Sequence, residues 1–251
     1  MLRVAGLSLA YDETTPVLED ASLAIDAGSF VSLVGPSGSG KSSLLRAIMG
    51  LQRPSAGRIE TELAPREIGI LFQDDALLPW RSAAENVALG LRLGGESRAR
   101  AVAEAEIWLG RLGLGGLGDR YPRALSGGQR KRVALAQVLA LKPRLLLMDE
   151  PFASLDAITR ARVTQDLLAL VESERMTVLL VTHDLEEALA LSDVVYLLSH
   201  GLRARISRRY DVPIPRPRDA VTARTDPAFA PLLAALWRDL SREVAGEAVA
   251  A

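Results

Sequence analysis

Residues 35–42 read Gly35-Pro36-Ser37-Gly38-Ser39-Gly40-Lys41-Ser42, between the apolar run Phe30-Val31-Ser32-Leu33-Val34 and the helical pattern Ser43-Leu44-Leu45-Arg46-Ala47-Ile48-Met49. This order predicts strand, phosphate-binding loop and helix. Glycines let the backbone turn tightly and present its N–H groups to phosphate oxygens, and the helix start adds free N–H groups and a favourable dipole. In such a loop Lys41 reaches the β- and γ-phosphates and the Ser42 hydroxyl ligates Mg²⁺. A flexible Gly/Ser turn with an incidental lysine is the bland alternative; the strand before and the helix after argue against it.

The whole chain has 251 residues, enough for one large domain with a substantial core. With 49% hydrophobic residues and a formal net charge of −1, it lacks the basic excess of a nucleic-acid binder. It has no cysteine, which excludes disulfides and thiolate metal sites and fits a reducing compartment. Residues 1–30 carry Asp12, Glu13, Glu19, Asp20 and Asp26 rather than a signal peptide's basic and then apolar order. No apolar run reaches the ~18 residues needed to span a bilayer, so service at a membrane requires docking on another chain.

Leu2-Arg3-Val4-Ala5-Gly6-Leu7-Ser8-Leu9 and Ala21-Ser22-Leu23-Ala24-Ile25 alternate with period two, predicting an antiparallel flap. Tyr11, at its first turn, either stacks on a base or fills a strand end. Arg58-Ile59-Glu60 follows a break at Pro54 and Gly57, and Ile68-Gly69-Ile70-Leu71-Phe72 predicts a strand ending at Gln73. Helical periodicity then runs to about Val138, an inserted lobe. Ser82 with Glu85 forms a capping box for a helix through Leu93, stopped by Gly94-Gly95. A second helix from about Ser97 carries the stripe Val102, Ala105, Leu109 and Leu112. Leu77, Leu78 and Trp80 are either core or an exposed docking knob.

Leu125-Ser126-Gly127-Gly128-Gln129 precedes another helical run, Arg130-Lys131-Arg132-Val133-Ala134-Leu135. Taken alone it is an N-cap; with a phosphate loop already present it suggests a second anion site. Leu145-Leu146-Leu147-Met148-Asp149-Glu150 reads as a buried parallel strand ending in two carboxylates, where α/β sheets place ligands. There Asp149 would hold Mg²⁺ through water and Glu150 would polarise the attacking water. Asp156, in Ser154-Leu155-Asp156, suits the cap of a helix beginning near Ala157. A further buried strand, Thr177-Val178-Leu179-Leu180-Val181, runs into Thr182-His183-Asp184, and His183 leaves it on the same sheet edge as Glu150, suited to a γ-phosphate contact.

With these motifs in this order, the chain resembles the ATP-binding subunits of ABC transporters over nearly its whole length. The resemblance makes residues 35–42, with Ser43 behind them, Walker A, and Gln73 the Q-loop glutamine that joins Ser42 and Asp149 around Mg²⁺ and takes part in hydrolysis. It makes 125–129 the signature, 145–150 Walker B, Ser154-Leu155-Asp156 the D-loop and His183 the switch histidine. It implies a head-to-tail homodimer or heterodimer in which ATP lies between Walker A of one subunit and Ser126, Gly127, Gly128 and Gln129 of the other. It also places Tyr11 where adenine stacks. Gln137 departs from an arginine common in the family. Gln73, Leu77-Leu78-Pro79-Trp80-Arg81 and Glu85-Asn86-Val87, with the proline-rich tail 212–219 and a helix to about Val244, resemble importers for nitrate, sulfonates and taurine; thiamine-precursor importers share much of this.

The expectation is thus an α/β P-loop core with an antiparallel flap (1–73 and 139–210), a helical subdomain (74–138) and a tail (211–251). It would sit at the cytoplasmic face of the inner membrane as the peripheral motor of an importer, with separate permease and solute-binding chains and no nucleic acid. Non-transport ABC ATPases of the DNA-repair or translation-factor type add coiled coils, zinc cysteines or a second cassette, and a P-loop kinase lacks the signature stretch. Arg203, Arg205, Arg208 and Arg209 are expected on alternating strand positions as a solvated face.

Overall fold

The computed structural model describes residues 1–10 and 15–248. Its centre is a six-stranded sheet, with strands β3 (Phe30–Val34), β5 (Ile68–Leu71), β6 (Leu145–Asp149), β7 (Thr177–Thr182), β8 (Val194–Leu198) and β9 (Ile206–Asp211) in the order β5-β6-β7-β3-β8-β9. All neighbours are parallel except β9, which runs antiparallel to β8. The continuous apolar runs are explained by burial on both faces, because successive side chains point to opposite sides. Val178 and Leu180 of β7 enter the core beneath the helical layer, whereas Leu179 and Val181 enter the core shared with the flap. In β6, Leu146 and Met148 separate from Leu145 and Leu147 in the same way.

The flap is a second sheet, β2 (Pro16–Ile25), β1 (Leu2–Ala10) and β4 (Ala56–Thr61), antiparallel throughout. Leu2, Val4, Leu7 and Leu9 of β1 share one core with Leu44, Leu45, Ala47 and Ile48 of helix α1 (Lys41–Ile48), so the flap and the helix that follows the phosphate loop bury their apolar faces together. The third strand was unmarked in the sequence because Ala56–Thr61 is mostly exposed and owes its place to pairing with β1.

Helices α2 (Ala83–Leu93), α3 (Arg98–Arg111) and α4 (Gly127–Leu139) form the helical layer, joined by α5 (Ala157–Ser173). The local signals acted as expected: Ser82 caps α2 in a reciprocal box with Glu85, Gly94 is its C-cap, and Ser97 caps α3. The expected boundary at 138 falls one residue before the end of α4, and that at 210 one residue before the end of β9. Helices α6 (Leu185–Leu191) and α7 (Phe229–Ala248) close a third core with Val34, Val195, Leu197, Val212 and Ile214.

Two expectations change. The strand before Gln73 stops at Leu71, because the carbonyls of Phe72 and Gln73 turn to meet Lys131 instead of a neighbouring strand. The four arginines are not one alternating face. Arg203 and Arg205 precede β9 and both pair with Glu19, while Arg208 pairs with Asp239 and Arg209 with Asp211.

Candidate active site

The parallel register brings three strand ends to one edge. Val34 lies opposite Thr182 and Asp149 opposite Val181, so the loop after β3, the acids after β6 and the histidine after β7 leave the sheet side by side. Such an edge is where open α/β sheets bind ligands. The loop turns into α1 through Gly40, whose φ of +92° suits glycine. A Cβ there would lie 2.7 Å from Val17 Cγ1 and 2.9 Å from Leu18 Cδ2 of the flap. Ser39 Oγ donates to the Pro36 carbonyl at 2.8 Å and closes the turn.

Lys41 is 5% exposed, and its ammonium donates to the carbonyls of Gly35 (2.8 Å) and Pro36 (2.6 Å), which fold the side chain back into the loop. Burial lowers Lys41 from its ordinary value; the Glu150 and Asp149 carboxylates oppose that. The Ser42 hydroxyl donates to Asp149 Oδ1 at 3.0 Å. Burial raises Asp149, the Ser42 hydrogen bond opposes this, and the Glu150 charge adds to it. Hydroxyl and carboxylate oxygens thus converge beside a lysine, a hard-oxygen pair of the kind that suits Mg²⁺ completed by phosphate and water. Among the described residues no group of three or more His, Cys, Asp or Glu forms a self-sufficient metal cage.

Glu150 follows with φ +43°, a left-handed backbone uncommon outside glycine and concentrated at functional sites. Its N–H donates to Val181 O at 2.8 Å, which fixes this turn against β7. Its Oε2 lies 3.0 Å from Nδ1 of His183. The two side chains differ in access, at 18% and 57% exposed, so the carboxylate is sheltered and the imidazole open. Asp184 caps α6 by accepting from Glu187 N, which holds the segment just beyond the histidine.

Gln73 is exposed, in the loop leaving β5. Ser126, Gly127, Gly128 and Gln129 start α4, where Ser126 and Gln129 cap each other reciprocally. They lie on the helical layer, with α4 packed against α2, α3, β5 and α5. Gly128 abuts α5: a Cβ there would be 2.3 Å from Thr159 Cγ2. Thr159 N in turn donates to Asp156, the cap of α5, at 3.0 Å. Tyr11 lies outside the described residues.

The sequence profile of the family described as "ABC transporter" matches residues 18–153. The chain belongs to the ABC transporter family. It is 43% identical over 240 residues to an aliphatic sulfonates import ATP-binding protein of Paracoccus denitrificans (strain Pd 1222), covering 96% of this chain and 93% of the relative. It is 44% identical over 206 residues to a taurine import ATP-binding protein of Yersinia pestis bv. Antiqua (strain Antiqua), covering 80% of each. Among solved structures, a dimeric ATP-binding cassette in a post-hydrolysis state bound to ADP and Pi has a TM-score of 0.74 and 31% identity, covering 84% of this chain and 99% of that one.

In this ABC chain, sequence reasoning missed Lys131, Asp75 and Thr159. Lys131 is 1% exposed and bonds Asp75 and the Gln73 carbonyl. The available signal was a basic triplet, Arg130-Lys131-Arg132, facing no acids of its own helix, together with the acidic pair Asp74-Asp75 directly after Gln73. Thr159 carried no signal, since its contact with Gly128 spans two helices.

Proposed function

We propose that this chain is the ATP-hydrolysing motor subunit of an importer for a small solute, with organic sulfonates the favoured class. The observation that carries the motor reading is the convergence of Lys41, Ser42, Asp149, Glu150 and His183 at one sheet edge, with a second phosphate-type helix start at Ser126 on a different layer. One site per nucleotide does not use both, whereas a head-to-tail dimer does. The sulfonate preference rests on the similar import proteins of Paracoccus, for aliphatic sulfonates, and Yersinia, for taurine.

In this reading the N–H groups of Gly35 and of residues 37–43, including Ser37, Gly38, Ser39, Gly40 and Ser43, cradle the triphosphate, while Pro36, which has no N–H, shapes the loop, and Lys41 neutralises the β- and γ-oxygens. Ser42, Asp149 and Gln73 would hold Mg²⁺, which would supply charge neutralisation at the phosphates. Glu150 accepts the proton of the attacking water as its oxygen bonds the γ-phosphorus and ADP departs, and His183 orients the carboxylate and contacts the γ-phosphate. Ser126, Gly127, Gly128 and Gln129 complete the site of the partner subunit, and Tyr11 stacks on adenine. The chain divides into core and flap (1–73 and 139–210), helical subdomain (74–138) and tail (211–251). No helix among the described residues is long and apolar enough to cross a membrane, so attachment to the cytoplasmic face of the inner membrane would come through permease subunits, fed by a separate solute-binding protein.

The test reconstitutes the subunit with its genomic-neighbour permease in vesicles and measures ATP hydrolysis with solute-binding protein carrying taurine, an alkanesulfonate, nitrate or a thiamine precursor. Stimulation by the sulfonates supports the reading. Stimulation by nitrate or the thiamine precursor alone reassigns the solute, and hydrolysis indifferent to permease sinks the transport role.

A further inference from the structure

Successive residues on a helix point about 100° apart, so three adjacent cations at the start of α4 diverge, although Arg130 and Lys131 both reach Asp75. Arg130 bonds the Leu125 carbonyl (2.8 Å) and reaches Asp75 Oδ2 (3.4 Å). Arg132 pairs with Asp166 of α5 (2.8 Å) and donates to Leu112 O (3.2 Å). Lys131, between them, points inward and is 1% exposed. Lysine is almost never this buried without partners, and its ammonium has three donors to place. Here three acceptors meet it: Asp75 Oδ1 at 2.9 Å, Gln73 O at 2.9 Å and Phe72 O at 3.4 Å. All come from the irregular segment that leaves β5, where loop carbonyls have no ladder to satisfy them.

We propose that Lys131 is a positioning residue for hydrolysis: it fastens the Gln73 segment to the signature helix, so that the Gln73 side chain and the Ser126–Gly128 helix start move as one body. The inference rests on the roles proposed above, in which Gln73 serves the nucleotide of its own loop and Ser126–Gly128 serve that of the partner subunit. A displacement of Gln73 at one nucleotide is then carried by a buried charge-assisted contact and a rigid helix turn to the other. Nothing in the Lys131 contacts touches residues 35–42, so affinity for nucleotide at the loop is separable from turnover.

The experiment uses the full chain. Because it has no cysteine, pairs introduced at the exposed positions Asp74 and Arg123 take spin labels cleanly, and their distance distribution reports how firmly the Gln73 segment is held to the signature end. For Lys131→Met, the expected result is a broadened distance distribution, ATP affinity within about twofold of wild type, and kcat lowered roughly three- to thirtyfold. Lys131→Arg should recover part of both kcat and the narrow distribution. A folded Lys131→Met with wild-type kcat and a single narrow distance overturns the proposal. If Lys131→Met does not fold, Asp75→Asn decides on the same two readouts: lowered kcat at unchanged affinity with a broadened distance supports it, and no change overturns it. Gln73→Ala separates the premises. Wild-type turnover there removes Gln73 from catalysis and leaves the distance measurement to judge the latch, whereas lost turnover there with a narrow distance in Lys131→Met sinks the latch alone.

Discussion

His183 Nδ1 lies 3.0 Å from Glu150 Oε2, across the ends of two neighbouring parallel strands, and the Glu150 carboxylate is the more sheltered of the two. In the proposed function this contact orients the Glu150 carboxylate to act as the base. Glu150→Gln keeps the shape and removes the proton acceptor, so hydrolysis should fall ~10² to 10⁴-fold while ATP binding persists and a closed dimer accumulates. Single-turnover hydrolysis beside light scattering checks both. His183→Ala should lower turnover without weakening binding; near-normal hydrolysis by Glu150→Gln removes the carboxylate from the chemistry.

Lys41 behaves differently because its ammonium is already seated on the Gly35 and Pro36 carbonyls. Lys41→Ala deletes an internal clasp of the loop and, in the proposed function, a phosphate contact. Nucleotide affinity should drop at least tenfold, in the range of a lost charge-assisted hydrogen bond of about 1.5–3 kcal/mol. Equilibrium binding of a fluorescent ATP analogue reads this directly, and unchanged affinity would show that backbone amides alone hold the phosphates.

What the sequence made legible was local. A glycine-rich loop between an apolar run and a helix, and caps such as Ser82 with Glu85, are encoded within a few residues, and the chain folds there as those rules require. The runs at β6 and β7 were legible as buried strands because both faces are covered. What escaped depends on distant partners: Lys131 finds its acceptors 58 and 59 residues away, Arg205 finds Glu19 186 residues away, and β4 exists through β1. A glycine in a signature stretch likewise says nothing about the neighbour that leaves it no room.

Gly128 is such a case. Its α4 backbone approaches α5 so closely that an added Cβ would sit 2.3 Å from Thr159 Cγ2. Gly128→Ala should destabilise the fold by roughly 1–3 kcal/mol through overpacking, and Thr159→Ser, which lacks that methyl, should relieve much of it. Urea unfolding of the single and double variants measures the rescue. If stability is restored but hydrolysis is not, Gly128 has a second role at phosphate; additive losses discard the packing explanation.

The loop after Gln73 settles differently for each apolar residue. Leu77 packs against the core and Leu78 is half-buried, whereas Trp80 is 70% exposed. Fully buried Asn86 holds this conformation, accepting from Leu78 N at 2.7 Å and donating to the carbonyls of Leu78, Arg81 and Ser82. Trp80→Ala should therefore change stability by no more than about 0.5 kcal/mol yet weaken assembly with the permease. Co-purification of the complex beside thermal unfolding checks it; an unfolded Trp80→Ala or undiminished assembly rejects the docking role.

Glu187, on α6 four residues past His183, is 8% exposed and its carboxyl is raised to about 7. Burial is the largest cause; the Thr182 hydrogen bond opposes it, Asp184 adds to it, and Arg160 and His183 oppose it. In the fold this group keeps a proton that the unfolded chain releases near 4.5, so the folded state binds more protons over that interval. Stability is thus fully present below the unfolded value, falls as pH rises, and reaches its floor above about 7. At about 1.4 kcal/mol per unit, the loss is at most about 3.5 kcal/mol. Glu187→Gln keeps the neutral shape and has nothing to ionise, so it should match wild type near pH 5 and exceed it near pH 8. Urea unfolding at both pH values decides: parallel pH profiles for the two proteins would mean that Glu187 is ionised in the fold and that burial does not control it.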